Sequence, residues 1–186
     1  MKKVAIFFFI IPLLFTCSEY EEFNGVPIRQ YAGSVIDFSS QYTTGDWSAA
    51  KALGKEDVYD ESKHKNGYGD NINAWSSLTA DGQREYLVLG FDTLQTVQIV
   101  EVYETWYPGA IDTVYIRNTQ TQKWEIVYSK PASTDLPDTA RVFRFFLPLE
   151  TTYLADAIRL AINSPAVEGW NEIDAVAITG QRSKQD

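Results

Sequence analysis

The chain has 186 residues, with 25 acidic side chains against 16 basic ones for a formal charge of −9, and a single cysteine, Cys17. That acidity, with no cluster of Lys and Arg, argues against a nucleic-acid partner, because binding a polyanion needs grouped cations to displace its counterions. One cysteine excludes an intramolecular disulfide, so the fold must rest on a core that a chain of this length can bury.

Met1-Lys2-Lys3, then an apolar run from Val4 to Phe15, then Thr16 give the charge-then-apolar layout of an export signal. The run is shorter than the ~20 residues that cross a bilayer, and Pro12 interrupts it, so removal of residues 1–16 is expected rather than a permanent helical anchor. Leu14-Phe15-Thr16-Cys17 resembles the lipobox of bacterial lipoproteins, in which the cysteine thiol is acylated and becomes the new N-terminus. Phe15 and Thr16 are bulkier than the commonest residues there, a looser pattern familiar in Bacteroidetes lipoproteins. Ser18-Glu19-Tyr20-Glu21-Glu22 resembles the acidic stretch that sends some of them to the cell surface. The resemblance implies an outer-membrane lipoprotein held by lipid on Cys17, at the periplasmic face or the cell surface. An ordinary signal peptide with a chance cysteine is the alternative. Cleavage would remove Lys2 and Lys3 and no acid, taking the formal charge from −9 to −11.

Residues 17–33 are polar and acidic, contain Gly25 and Pro27, and show little periodicity, which reads as a flexible tether. Beyond it come eight strand-like runs rich in Val, Ile, Phe and Tyr and bounded by Gly, Pro, Asn or Asp: about 34–38, 85–91, 96–103, 111–117, 123–128, 140–147, 156–162 and 173–179. In the seventh, Ile158, Leu160 and Ile162 share one face and Arg159 falls on the other, as in a strand with one buried face. The third breaks phase between Ile99 and Val100, which suggests either a bulge or a strand covered on both faces. One helix is predicted over 46–53, with Asp46 or Ser48 as N-cap and Gly54 as terminator. Short strands without βα alternation predict an all-β antiparallel sandwich of jelly-roll type over 34–182, followed by a tail at 183–186.

Several motifs then fall in order: Trp47-Ser48-Ala49-Ala50, Ala52 to Tyr59, Ala74-Trp75, Tyr86 to Phe91, Tyr103 to Ala110 and Trp170 to Val176. Together they resemble the galactose-binding-like (discoidin-type) β-sandwich modules appended to pappalysins and to many bacterial surface proteins, over about Ser34 to Gly180. Two loop positions depart from that family's pattern: Glu56 where proline is frequent, and Tyr107 where asparagine often precedes Pro-Gly. Loops set specificity while strands set architecture, so the departures bear on ligand contacts rather than on fold. The resemblance implies a binding scaffold. It also implies a structural calcium held between an early loop and a late strand, with Asp57 and Glu172 at the matching positions, and it matches Glu104 to the acid of the family's Glu-Thr motif.

The residues offer little for catalysis. His64 is the only histidine and sits in a polar, glycine-containing stretch, and no serine lies in a strand–turn–helix elbow. Acidic pairs are too numerous to single one out for glycoside hydrolysis, and zinc would want more Cys and His than the chain has. Trp75 and Trp170 read as core aromatics, each adjoining a strand that needs cover. Trp106 and Tyr107 lie beside a Pro-Gly turn, where burial is hard to arrange. With Glu104 they form the candidate ligand site, Trp106 being either a contact residue or a plug at the sandwich edge. The expected function is a lipid-anchored cell-envelope module that binds carbohydrate, or a glycosylated or protein partner, without catalysis. The alternative is a structural part of an outer-membrane or surface assembly, with a glycoside hydrolase third. If Cys17 is the acylated terminus, Cys17→Ser will leave the detergent phase for the aqueous phase in a partition assay. A variant that stays in the membrane fraction, unprocessed, would mean that the signal segment itself is the anchor.

Overall fold

The computed structural model describes residues 26–58 and 67–182; Cys17 and His64 lie outside them. Nine strands are present among the described residues: β1 Pro27–Tyr31, β2 Ser34–Phe38, β3 Glu85–Gln95, β4 Ile99–Trp106, β5 Ile111–Asn118, β6 Trp124–Ser129, β7 Arg141–Phe146, β8 Ala155–Ile162 and β9 Glu172–Gln181. They form two antiparallel sheets, in the order β1-β9-β4-β7 and β2-β3-β8-β5-β6. No helix among the described residues is long and apolar enough to cross a membrane.

The two sheets face each other because alternate residues along their strands are apolar. Ile158, Leu160 and Ile162 of β8 are buried on the inner face with Leu87 and Leu89 of β3, opposite Val100 and Val102 of β4 and Val176 and Ile178 of β9. On the other face of β8, Arg159 lies over the rings of Tyr86 and Tyr115, 4.7 and 5.8 Å from their centres. β4 is covered on both faces. Glu101 and Tyr103 point away from the core yet are buried, because Arg29 reaches Glu101 from β1 at 2.5 Å and Arg144 reaches it from β7. The phase break at Ile99 and Val100 therefore reflects two covered faces, and the irregular register comes later, between Tyr103 and Trp106.

Two expectations change. The tether does not run to residue 33, since Pro27–Tyr31 pairs with β9 from Gln181 to Ala177. A five-residue edge strand starting at proline, which needs no N–H on its open side, leaves little alternation to read. The helix over 46–53 shrinks to a 3-10 turn at Ala49–Ala52. Trp47 takes a left-handed φ of 49°, and Ser48 makes no side-chain cap bond. The Ala49 N–H is met instead by the side chain of Gln41 at 2.9 Å. Two turns of helix are too few to offset the cost of nucleation when the loop offers such partners.

The long β2–β3 connection folds across one end of the sandwich. Trp75 fixes it there, fully buried in the core, exchanging backbone hydrogen bonds with Ile173 at 2.8 and 3.0 Å and donating from its indole to Ser40 O at 3.1 Å. Truncating it to alanine should cost about 3–5 kcal/mol, as for other large buried aromatics. Trp124→Ala on edge strand β6 should cost much less. Urea melts of both variants measure this, and a Trp75→Ala loss no larger than that of Trp124→Ala would contradict the role of Trp75 in fixing the connection.

Candidate functional site

Three connections meet at the end that Trp75 closes, and above it they leave a cleft of about 450 Å³, within the range that small-molecule sites occupy. The β2–β3 connection contributes Trp47, Asp70 and Ser76, the end of β4 and the turn after it Trp106 and Tyr107, and the β8–β9 connection Trp170. Glu172, the first residue of β9, closes the base.

The backbone is bent unusually to present these side chains. Trp47 and Tyr107 have φ of 49° and 40°, a region that L-residues enter only when surrounding bonds hold them there. The Trp47 N–H donates to Ile72 O at 3.0 Å, and its carbonyl accepts from the Ser76 N–H at 3.2 Å. The Tyr107 carbonyl accepts from Asn171 Nδ2 at 2.8 Å, and Asn171 in turn accepts from the Ser164 hydroxyl at 2.7 Å. Gly169 is required where it is: its φ is 103°, and a Cβ there would lie 2.5 Å from the Tyr107 ring.

Glu104 has a different place from the one expected. It is buried and does not line the cleft. One oxygen accepts from the Gly109 N–H at 2.8 Å and the other from Arg141 Nε. Burial pushes its pKa up, against the pull of Arg141 and the Gly109 N–H. Glu104 thus clamps the Pro108-Gly109 turn that carries Trp106 and Tyr107, and is a positioning residue.

Trp106 and Tyr107 are half-exposed and line the cleft. Trp106 stacks on Tyr68, with centroids 5.1 Å apart and planes 18° apart, and meets Tyr107 edge-on at 5.2 Å. On the other side Tyr42 sits edge-on to Trp47 at 5.3 Å and to Trp170 at 6.1 Å. Trp75 is in the core as expected. Trp170 is not: it is 39 % exposed, because burial along this segment begins one residue later, at Asn171. Trp47, Asp70, Ser76 and Trp170 were not singled out as ligand contacts from sequence. A usable signal was present in Gly45-Asp46-Trp47, Gly69-Asp70 and Gly169-Trp170, where glycine just ahead of a polar or aromatic residue marks a loop shaped to expose it.

The expected calcium ligands have separate partners. Asp57 is exposed, and its N–H, with that of Val58, points at the buried carboxylate of Asp174 at 3.3 and 3.2 Å. Glu172 instead accepts from the Asn71 N–H at 3.1 Å and faces the Asp70 carboxyl. Among the described residues no group of three or more His, Cys, Asp or Glu side chains is placed to hold a metal ion. Asp70 Oδ1 accepts from the Trp47 indole N–H at 2.8 Å. Burial first, and then the Asp70 carboxylate, raise the pKa of Glu172 to about 9.

The class defined by the fold is a two-sheet antiparallel β-sandwich with its loops gathered over one end. Residues 21–186 match the family described as Pappalysin-1, SD scarf domain, C-terminal, and the chain belongs to that family. It is 24% identical over 182 residues to F-box/LRR-repeat protein 4 of Bos taurus, spanning 84% of this chain and only 29% of that relative. Solved structures share the fold at low identity. The XRCC1 chain crystallised with the DNA polymerase β catalytic domain has a TM-score of 0.58 at 14% identity, over 80% of this chain and 97% of its own. The family 32 carbohydrate-binding module of Clostridium perfringens NanJ, in complex with galactose, gives 0.53 at 11%, over 82% and 99%. Chitosan-binding module 1 of a Paenibacillus chitosanase/glucanase gives 0.51 at 12%, over 84% and 95%.

The raised pKa of Glu172 has a thermodynamic consequence. The folded state keeps a proton that the unfolded chain loses above about 4.5, so stability present below that pH is lost as pH rises toward about 9. Glu172→Gln imitates the protonated form, and its stability should fall less than that of the wild type between pH 5 and 9. Urea melts across that range measure the difference, and parallel curves would show that Glu172 is ionised in the folded protein.

Proposed function

We propose that this chain is a non-catalytic carbohydrate-binding module that takes a sugar in the loop-end cleft and is displayed from a membrane by lipid on Cys17. The observation that carries the reading is the convergence of three partly exposed tryptophans, Trp47, Trp106 and Trp170, from three separate segments of the chain on one cleft. Exposed indoles gain no core packing where they stand, and they offer flat apolar faces that match the C–H face of a pyranose, while nearby polar groups can fix its hydroxyls. Two modules that share the fold take sugar ligands, galactose for one and chitosan for the other. Their low identity supports the scaffold rather than the sugar.

The acid pair in the cleft argues against hydrolysis. Glycosidases hold their two carboxyls about 5 Å or more apart, on opposite sides of the scissile bond, whereas Asp70 and Glu172 are hydrogen-bonded neighbours. Protein assembly is the second reading, favoured by Ile126, Phe146 and Leu149, which are 61, 65 and 84 % exposed on and beside edge strands β6 and β7. A glycan array with the wild type and Trp170→Ala separates the two. The carbohydrate reading expects Trp170→Ala to lose its glycan signal while keeping a near-native melting temperature, since a partly exposed contact residue supports binding more than folding. Equal array signals for both proteins, or none for the wild type, would overturn it.

A further inference from the structure

The charge around the cleft narrows the class of sugar. Among the described residues its ionisable lining groups are Asp70, Asp81, Glu168 and Glu172, all of them acids. A neutral sugar is usually met by a mixture of donors and acceptors, whereas the ionisable groups of this wall are all carboxyls, and the one proton held between Asp70 and Glu172 is shared inside that pair. Asp70 and Glu172 lie side by side, one oxygen of each already bonded, to the Trp47 indole and to the Asn71 N–H. Two adjoining carboxyls are stable only if they share a proton or a cation.

A second feature is independent of the acids. Ser76 also lines the cleft, is only 2 % exposed, and its hydroxyl has no hydrogen-bond partner among the described residues. A buried hydroxyl without a partner costs free energy that a ligand's polar group would recover. A bare metal ion would leave the aromatic walls without a role. An organic cation uses both, since an ammonium group is attracted to carboxylates and to the faces of Trp and Tyr alike.

Resting on the carbohydrate reading, we propose that the cleft selects a sugar with a free amino group, its ring against Trp170 and Trp106 and its ammonium between Asp70 and Glu172, with Ser76 bonding a neighbouring hydroxyl. The acidic rim then raises the local concentration of a cationic glycan and speeds its capture, an effect that salt screens.

The test is isothermal titration of the folded chain with a glucosamine tetramer, its fully N-acetylated counterpart, a neutral glucose tetramer and choline. The amino-sugar site predicts that the glucosamine tetramer binds at least tenfold more tightly than either neutral oligomer. It also predicts that affinity weakens with added salt, and that Asp70→Asn removes most of the preference for the amine. Ser76→Ala should weaken binding without altering that preference. Equal or tighter binding of the N-acetylated or glucose tetramer would overturn the charge selection and leave the carbohydrate reading intact. Binding of choline with none of the sugars would overturn both. Tight glucosamine binding that Asp70→Asn leaves unchanged would place the cation elsewhere and refute the site.

Discussion

The end of the sandwich depends on the insertion of Trp75. Two sheets packed face to face leave an open end whose apolar residues need cover, and the chain supplies it by sending the β2–β3 connection across that end with one indole driven into the core. The backbone exchange between Trp75 and Ile173 ties this connection to the first residues of β9. Glu172, one residue earlier, is then held beneath Asn71 and beside Asp70. The plug and the cleft base are consecutive consequences of one pairing.

The other two connections are fixed by buried polar groups rather than by apolar packing. Glu104 satisfies the Gly109 N–H and pairs with Arg141, while Asn171 binds the Tyr107 carbonyl and the Ser164 hydroxyl. Each group is buried and bonded, so losing one partner would strand the other, a larger effect than the bond's own net worth. This arrangement keeps Tyr107 in its left-handed backbone conformation, as the bonds to Ile72 and Ser76 keep Trp47. It holds the aromatic walls still before any ligand arrives, which lowers the ordering cost of binding.

Strands were legible because alternation survives wherever one face is wet: β2 came out with its observed bounds, and the other predicted strands differ from the observed ones by a few residues at their ends. β1 was missed because an edge strand of five residues opening on Pro27 carries almost no pattern. The helix over 46–53 was overread, since the tendency of Ala49, Ala50 and Ala52 to form a helix yielded to the strained turn at Trp47. The partial exposure of Trp106 and Tyr107 was legible from the Pro-Gly turn beside them. Glu104 was placed in the ligand site because sequence shows that an acid is near a turn, not which way it faces, and its buried partner Arg141 lies 37 residues away. Trp170, Asp70 and Ser76 join the cleft only through pairings that bring distant loops together, and local sequence does not encode those.

The central claim is that the three connections at this end form a preorganised sugar site, and the five tryptophans of the chain provide a direct test. Trp47, Trp106 and Trp170 line the cleft, whereas Trp75 is sealed in the core with its indole bonded to Ser40 O, and Trp124 lies on edge strand β6 beside Arg117. In an NMR titration of the nitrogen-labelled domain with a glucosamine oligomer, the indole N–H signals of the first three should shift together and saturate at one concentration, with Trp124 stationary. A shift confined to Trp124, or no shift in any of the three cleft indoles, would contradict the account.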